Sequence, residues 1–136
     1  MNTNSYMQLA LDMAKKAEEQ DLVPVGCIIV HKDKVISTAH NGSAPFEHAE
    51  YLAIKNAYEI LEQNIRDAEI YVTLEPCMMC TGMIALCGIQ TVVFGAYDTK
   101  NGGIDHRCIP TFKNTVGGIM EGECGQLLSE YFQKKR

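Results

Sequence analysis

Residues 69–96 read EIYVTLEPCMMCTGMIALCGIQTVVFGA, and they decide the class of fold. EIYVTL (69–74) is a short β-branched and apolar run, the pattern of a strand. Pro76 suits a first helical turn, where its missing N–H is no loss, and CMMCTGMIALC continues as a helix ending at Gly88. TVVF (91–94) is the next strand. Upstream, Tyr6, Leu9, Ala10, Met13, Ala14 and Ala17 recur at helical spacing, with Asn4 or Ser5 available as a cap. Pro24 to Val30 (PVGCIIV), the polar turn HKDK and then VIST read as a hairpin, and after the loop HNGSAPF a second helix starts near His48 and places Leu52, Ala53, Ala57, Ile60 and Leu61 on one face. Downstream, residues 98–110 form a Gly- and Asn-bearing loop, TVGGIM is a fifth strand weakened by two glycines, and Cys124, Leu127, Leu128, Tyr131 and Phe132 make the apolar stripe of a last helix. Strands alternating with helices predict a three-layer α/β/α domain around a central sheet of about five strands.

The length of 136 residues suits one domain, 1–136, with a two-sided core. The first twenty residues lack a basic region followed by an apolar core, and no stretch reaches the ~18 apolar residues of a spanning helix. The expectation is a soluble, cytoplasmic protein without a membrane partner. A formal net charge of −5 argues against gripping nucleic acid by overall electrostatics, because phosphate binding rests on Lys and Arg. The strongest local basic patch is Lys134-Lys135-Arg136, although such a tail reads first as a solvated, frayed helix end. The six cysteines then point to metal binding or burial rather than to disulfides.

Two motifs open two helices: HAE at 48–50 and PCMMC at 76–80. A lone Cys-x-x-Cys fits a redox pair, half a structural zinc site or two core cysteines. With His48 beside Cys77 and Cys80, it becomes a three-ligand set that leaves zinc one position for water, the catalytic arrangement. Cys77 and Cys80 are neighbours on one helical face. Cys87, seven residues beyond Cys80, lies ~10.5 Å further along the axis and belongs to the core, as do Cys27 and Cys124; Cys108 falls in a loop with no role assigned. His48 and Glu50 reach one ion together when His48 sits in or before the first turn. Glu50 is the expected proton carrier between water, substrate nitrogen and leaving amine, although any first-turn glutamate also complements a helix dipole.

The pair HAE and PCMMC, 26 positions apart, resembles the signature of the cytidine and deoxycytidylate deaminase superfamily. VPVGCIIV, YVTLEPCMMC, VVFGAYD and ECGQLLSEYFQKKR extend the resemblance, over nearly the whole chain, to the bacterial tRNA-specific adenosine deaminases. The resemblance implies a cytidine-deaminase-like fold and hydrolysis of the wobble adenosine of a tRNA anticodon stem-loop to inosine, by a homodimer with one Zn2+ per subunit. It also implies that Asn41 hydrogen-bonds the base, that the Ala49 backbone flanks its polar edge, that Asp98 and Lys100 contact sugar and phosphate, and that Tyr131 and Phe132 lie near the RNA. Each has a structural rival: a turn for Asn41, a loop cap for Asp98, a solvated charge for Lys100 and the core stripe for the aromatic pair.

Two loops depart from the family pattern. Between Asn41 and His48 stand only Gly-Ser-Ala-Pro-Phe-Glu, where many members have a longer loop ending Asp-Pro-Thr-Ala, and the loop after Asp98 reads NGGIDH rather than a Gly-Ala pattern. Both are expected to rim the pocket and so to bear on substrate choice. A free-base or nucleoside deaminase, such as a guanine or cytosine deaminase, which needs no RNA surface, is the rival enzyme. A non-catalytic zinc module is the rival outside enzymes, and it would need a fourth protein ligand.

Overall fold

The computed structural model describes residues 2–105 and 112–135, so Cys108 and Arg136 lie outside the described residues. The chain runs α1 (Thr3–Glu19), β1 (Gly26–His31), β2 (Lys34–His40), α2 (Ala49–Leu61), a 3-10 turn (Glu62–Asp67), β3 (Glu69–Leu74), α3 (Met78–Leu86), β4 (Thr91–Ala96), β5 (Asn114–Val116) and α4 (Glu121–Lys134). The five strands stand in the order β2-β1-β3-β4-β5. β1 is antiparallel to both β2 and β3, whereas β3, β4 and β5 are parallel. Helices α1 and α4 cover one face of the sheet and α2 and α3 the other, which is the expected three-layer α/β/α architecture.

Because both faces are covered, the central strands bury the side chains of both faces along their middle residues instead of alternating. Along β1, Cys27 and Ile29 enter the core under α2 and α3, while Ile28 and Val30 enter the core under α1 and α4. Ile70 and Val72 of β3 and Val92 and Phe94 of β4 join the first core; Tyr71 and Val93 join the second. Gly26 permits the close seating of α1, since a Cβ there would overlap the Ala10 carbonyl and stand 2.6 Å from Ala14 N.

The boundaries differ from the sequence reading where hydrogen bonds override propensity. α1 starts earlier than expected, because Asn2 and not Asn4 or Ser5 is the cap, accepting from Ser5 N at 2.9 Å. The hairpin turn contracts to Lys32-Asp33, with φ of 51° and 62°, so His31 and Lys34 pair as strand residues. Pro76 lies outside α3, whose N-cap is Cys77; its carbonyl accepts instead from Gly103 N at 2.8 Å. β5 ends before the two glycines: Gly118 has φ +85°, and its N–H bonds to the Gly95 carbonyl at 3.0 Å. The 3-10 turn was not foreseen, as EQNIRD carries no distinctive period. On α4 only Cys124 of the expected stripe is buried, and Phe132 is half exposed, because its side of the helix borders a cleft. Among the described residues no helix is long and apolar enough to cross a membrane.

Candidate metal centre and its cleft

The carboxyl ends of parallel strands in an α/β sheet open onto crevices where ligands bind. Here β3 runs through Glu75 and Pro76 into α3, β4 runs into the Asp98 loop, and the β2–α2 connection brings His48 to the same end. His48 is the N-cap of α2 and Cys77 the N-cap of α3, both in extended backbone, so two positive helix ends face one point, as the motif spacing predicted.

At that point His48 Nδ1 lies 3.5 Å from both Cys77 Sγ and Cys80 Sγ. A tetrahedral zinc with bonds of ~2.3 Å to sulfur and ~2.0 Å to imidazole nitrogen separates those atom types by about 3.5 Å. The donor set therefore fits zinc in chemistry and spacing. Among the described residues it is the one cluster of three metal-ligating side chains, its ligand atoms all within 4.8 Å of one another. The Cys77 thiol is held low, at about 5, chiefly by its hydrogen bond with Cys80, helped by the charge of His48. That bond and burial push the Cys80 thiol up. A divalent cation bound here takes both sulfurs as thiolates and so releases protons from the pair. Cys87 is the half-buried C-cap of α3 and packs against the core, while Cys27 and Cys124 are buried.

Glu50 stands in the first turn of α2, 4% exposed, and burial is the main reason its carboxyl rises to about 7. Glu50 lines a cleft of about 840 Å3 that also takes in His48 and Cys77. Asn41, Asp98, Lys100 and Phe132 line the same cleft. Asn41 Oδ1 accepts from Ala49 N at 2.8 Å, which ties the amide to the start of α2 and engages the N–H of the Ala49 backbone expected to flank the base. Asp98 is also the loop cap of the rival reading, its Oδ1 accepting from Lys100 N at 3.2 Å and Asn101 N at 3.0 Å.

Two expectations need correction. Tyr131 is not among the lining residues of the cleft: its hydroxyl donates to the Asp21 carbonyl at 3.2 Å and its ring lies 5.5 Å under Lys135 Nζ, while the same ring packs edge-on against Phe132 with centroids 5.3 Å apart. The 42–47 loop contributes no lining residue; it folds on itself through Gly42 N to the Glu47 carbonyl at 2.8 Å and Ala44 N to Glu47 Oε1 at 2.9 Å. Of the two variant loops, the one after Asp98 forms the wall. The sequence reading passed over Glu75 and the apolar walls Val23, Leu74, Tyr97 and Leu128. A glutamate closing an apolar strand inside YVTLEPC was the available signal for Glu75; for the walls there was none, since their spacing suits a core equally well.

Residues 1–96 match the cytidine and deoxycytidylate deaminase zinc-binding region. The chain is 40% identical to the tRNA-specific adenosine deaminase of Aquifex aeolicus (strain VF5), covering 100% of this chain and 97% of that protein. It is 38% identical to the tRNA-specific adenosine deaminase of Bacillus subtilis (strain 168), covering 96% and 89%. A structure solved in studies of A-to-I editing by tRNA:A34 deaminases superimposes with a TM-score of 0.84 at 32% identity, over 91% of this chain and 99% of that one. His48, Cys77 and Cys80 are the zinc-binding triad of this region. By motif, fold and identity along its length, the chain belongs to the cytidine and deoxycytidylate deaminase family and, within it, to the tRNA-specific adenosine deaminases.

Proposed function

We propose that this chain hydrolyses the wobble adenosine of a tRNA anticodon to inosine, releasing ammonia. The observation that carries the chemistry is the placement of Glu50, a carboxyl only 4% exposed that lines the cleft together with His48 and Cys77 of the zinc triad; in the metal-free protein burial raises it to about 7. A general base and acid works best with a pKa near the working pH. When bound, zinc lowers the pKa of a water to about 7 and so supplies the nucleophile. With the metal held by His48, Cys77 and Cys80, Glu50 would accept the attacking water's proton while the water oxygen bonds to C6 of the adenine, and would pass that proton to N1. It then carries the second proton to the exocyclic amine; the C–N bond breaks, ammonia leaves and C6 keeps the oxygen as a carbonyl.

Asn41, its Oδ1 committed to Ala49, keeps Nδ2 as a donor to the base. Asp98, Lys100 and Phe132 on the wall suit the sugar, phosphate and neighbouring base of an unstacked anticodon nucleotide. The identity to relatives named for tRNA adenosine supports this substrate. A homodimer belongs to the same proposal. Its support is the exposed apolar surface of α3, where Leu86 is 91% exposed and Met78 and Met79, which also line the cleft, are about half exposed.

One observation favours a second reading: the net charge of −5 suits a free-base deaminase better than an RNA enzyme. A transcribed anticodon stem-loop, assayed beside free adenosine, cytosine, cytidine and guanine with inosine or ammonia as readout, decides. Faster turnover of the stem-loop is expected; faster turnover of guanine or cytosine replaces the tRNA reading.

A further inference from the structure

Besides Glu50, Glu75 is a buried glutamate among the described residues, 1% exposed, and the chemistry above does not use it. It follows the last residue of β3, and its N–H extends the ladder to β4 by bonding to the Ala96 carbonyl at 2.8 Å. Its carboxylate turns to the loop that leaves β4. Oε1 accepts from Asp98 N at 3.0 Å, and Oε2 accepts from Ile104 N at 3.0 Å and Asp105 N at 2.7 Å. One side chain therefore holds both ends of the segment between Asp98 and Asp105. Two glycines let the segment approach: a Cβ on Gly102 would overlap the Glu75 carboxyl carbon, and one on Gly103 would stand 2.5 Å from Thr81 Oγ1. Gly103 N also bonds to the Pro76 carbonyl at 2.8 Å, and Gly102 bridges Cys77. The NGG of this loop thus complements the Glu75 carboxylate. Between the anchored ends, Asp98, Thr99, Lys100 and Asn101 form a wall of the cleft.

We propose that Glu75 is a positioning residue: its carboxylate fixes the Asp98–Asp105 loop and so sets where the wall meets the substrate. This rests on the deaminase reading only for the choice of substrate. Glutamine at 75 is nearly isosteric, but it offers one oxygen and one NH2 to N–H groups that require acceptors on both sides, so it must release one end of the loop. Glu75→Gln is expected to speed amide hydrogen exchange at the end that is released, keep about one zinc per chain, and lower kcat/KM on the stem-loop roughly ten- to a hundredfold. Most of the loss is expected in KM, because the loop carries contacts and not the proton transfers. Gly102→Ala, which leaves Glu75 intact but blocks the approach, is expected to reproduce the pattern and serves where Glu75→Gln folds poorly. Should the unmodified enzyme prefer a free base, the same split is read on that base, so the exchange measurement tests Glu75 whatever the substrate. Unchanged exchange at Asp98, Ile104 and Asp105 overturns the proposal. So does a loss confined to kcat and accompanied by loss of zinc, which would make Glu75 a prop of the metal site instead.

Discussion

At the scale of single residues, the ligand triad and Glu50 divide binding from proton transfer. Cys80 is fully buried and spaced for a tetrahedral ion, so Cys80→Ser replaces a soft thiolate by a poor zinc ligand and is expected to lose most of the metal. Cys87→Ser, at the end of α3, is expected to retain it; metal analysis of the two variants separates ligand from core cysteine. Glu50→Gln is expected to keep zinc and lose about 100- to 10,000-fold in turnover, because the amide cannot accept the water's proton. That variant also isolates a pH effect. Burial raises the Glu50 carboxyl from 4.5 to about 7, so the folded metal-free protein holds a proton that the unfolded chain has already released between those values. Folding is then weakened as pH rises through that window, and the effect levels off above about 7. Denaturation of metal-free Glu50→Gln against metal-free parent should show the variant gaining relative stability from pH 4.5 to about 7, at no more than about 1.4 kcal/mol per pH unit.

At the scale of elements, the site depends on helices held against strand ends. α1 packs on β1 across Gly26, with the Ala10 carbonyl and Ala14 N against the glycine Cα. The obstacle to a side chain is backbone and cannot swing aside. Gly26→Ala must push the helix off the sheet, and a loss on the order of 3 kcal/mol is expected, within the range of severe core overpacking. Chemical denaturation measures it. A cost below about 0.5 kcal/mol would mean that α1 rides freely on the sheet. α2 and α3 differ from α1 in having metal ligands where Asn2 caps α1: His48 and Cys77 make no side-chain cap bond of their own. Asn41 instead reaches the first turn of α2 from the end of β2, so one amide serves both the helix end and the cleft.

At the scale of the whole molecule, the C-terminal helix closes one side of the cleft with Leu128 and Phe132, and its last turn is tied back to the end of α1. Lys135 Nζ donates to Asp21 Oδ2 at 2.6 Å, beside the Tyr131 contact with the Asp21 carbonyl. The basic end is therefore not one uniform patch. Lys134 is exposed at the end of α4, whereas Lys135 already has a carboxylate partner. Lys134→Ala is expected to reduce the slope of log binding constant against log salt for the stem-loop by about one. Lys135→Ala is expected to reduce it less, and its small effect on stability follows from the modest worth of exposed ion pairs. Titrations by fluorescence anisotropy at several salt concentrations read both; equal effects would show that Asp21 does not compete with phosphate for Lys135.

The sequence alone determined the order of strands and helices, the three-layer class, the zinc ligands and the resemblance that named the family, because local periodicity and short-range spacing are written directly in neighbouring residues. EIYVTL begins and ends as read, and His48, Cys77 and Cys80 meet as their helix-start positions required. Tertiary structure alone decided which loop becomes a wall. The 42–47 loop spends its hydrogen bonds on itself, whereas the Asp98–Asp105 loop is claimed by a carboxylate 23 to 30 residues away in the chain. It likewise decided that Phe132 faces the cleft and Tyr131 faces Asp21, 110 residues distant. Such contacts depend on which strand ends the sheet order β2-β1-β3-β4-β5 sets side by side, and no period or spacing in the chain encodes that order.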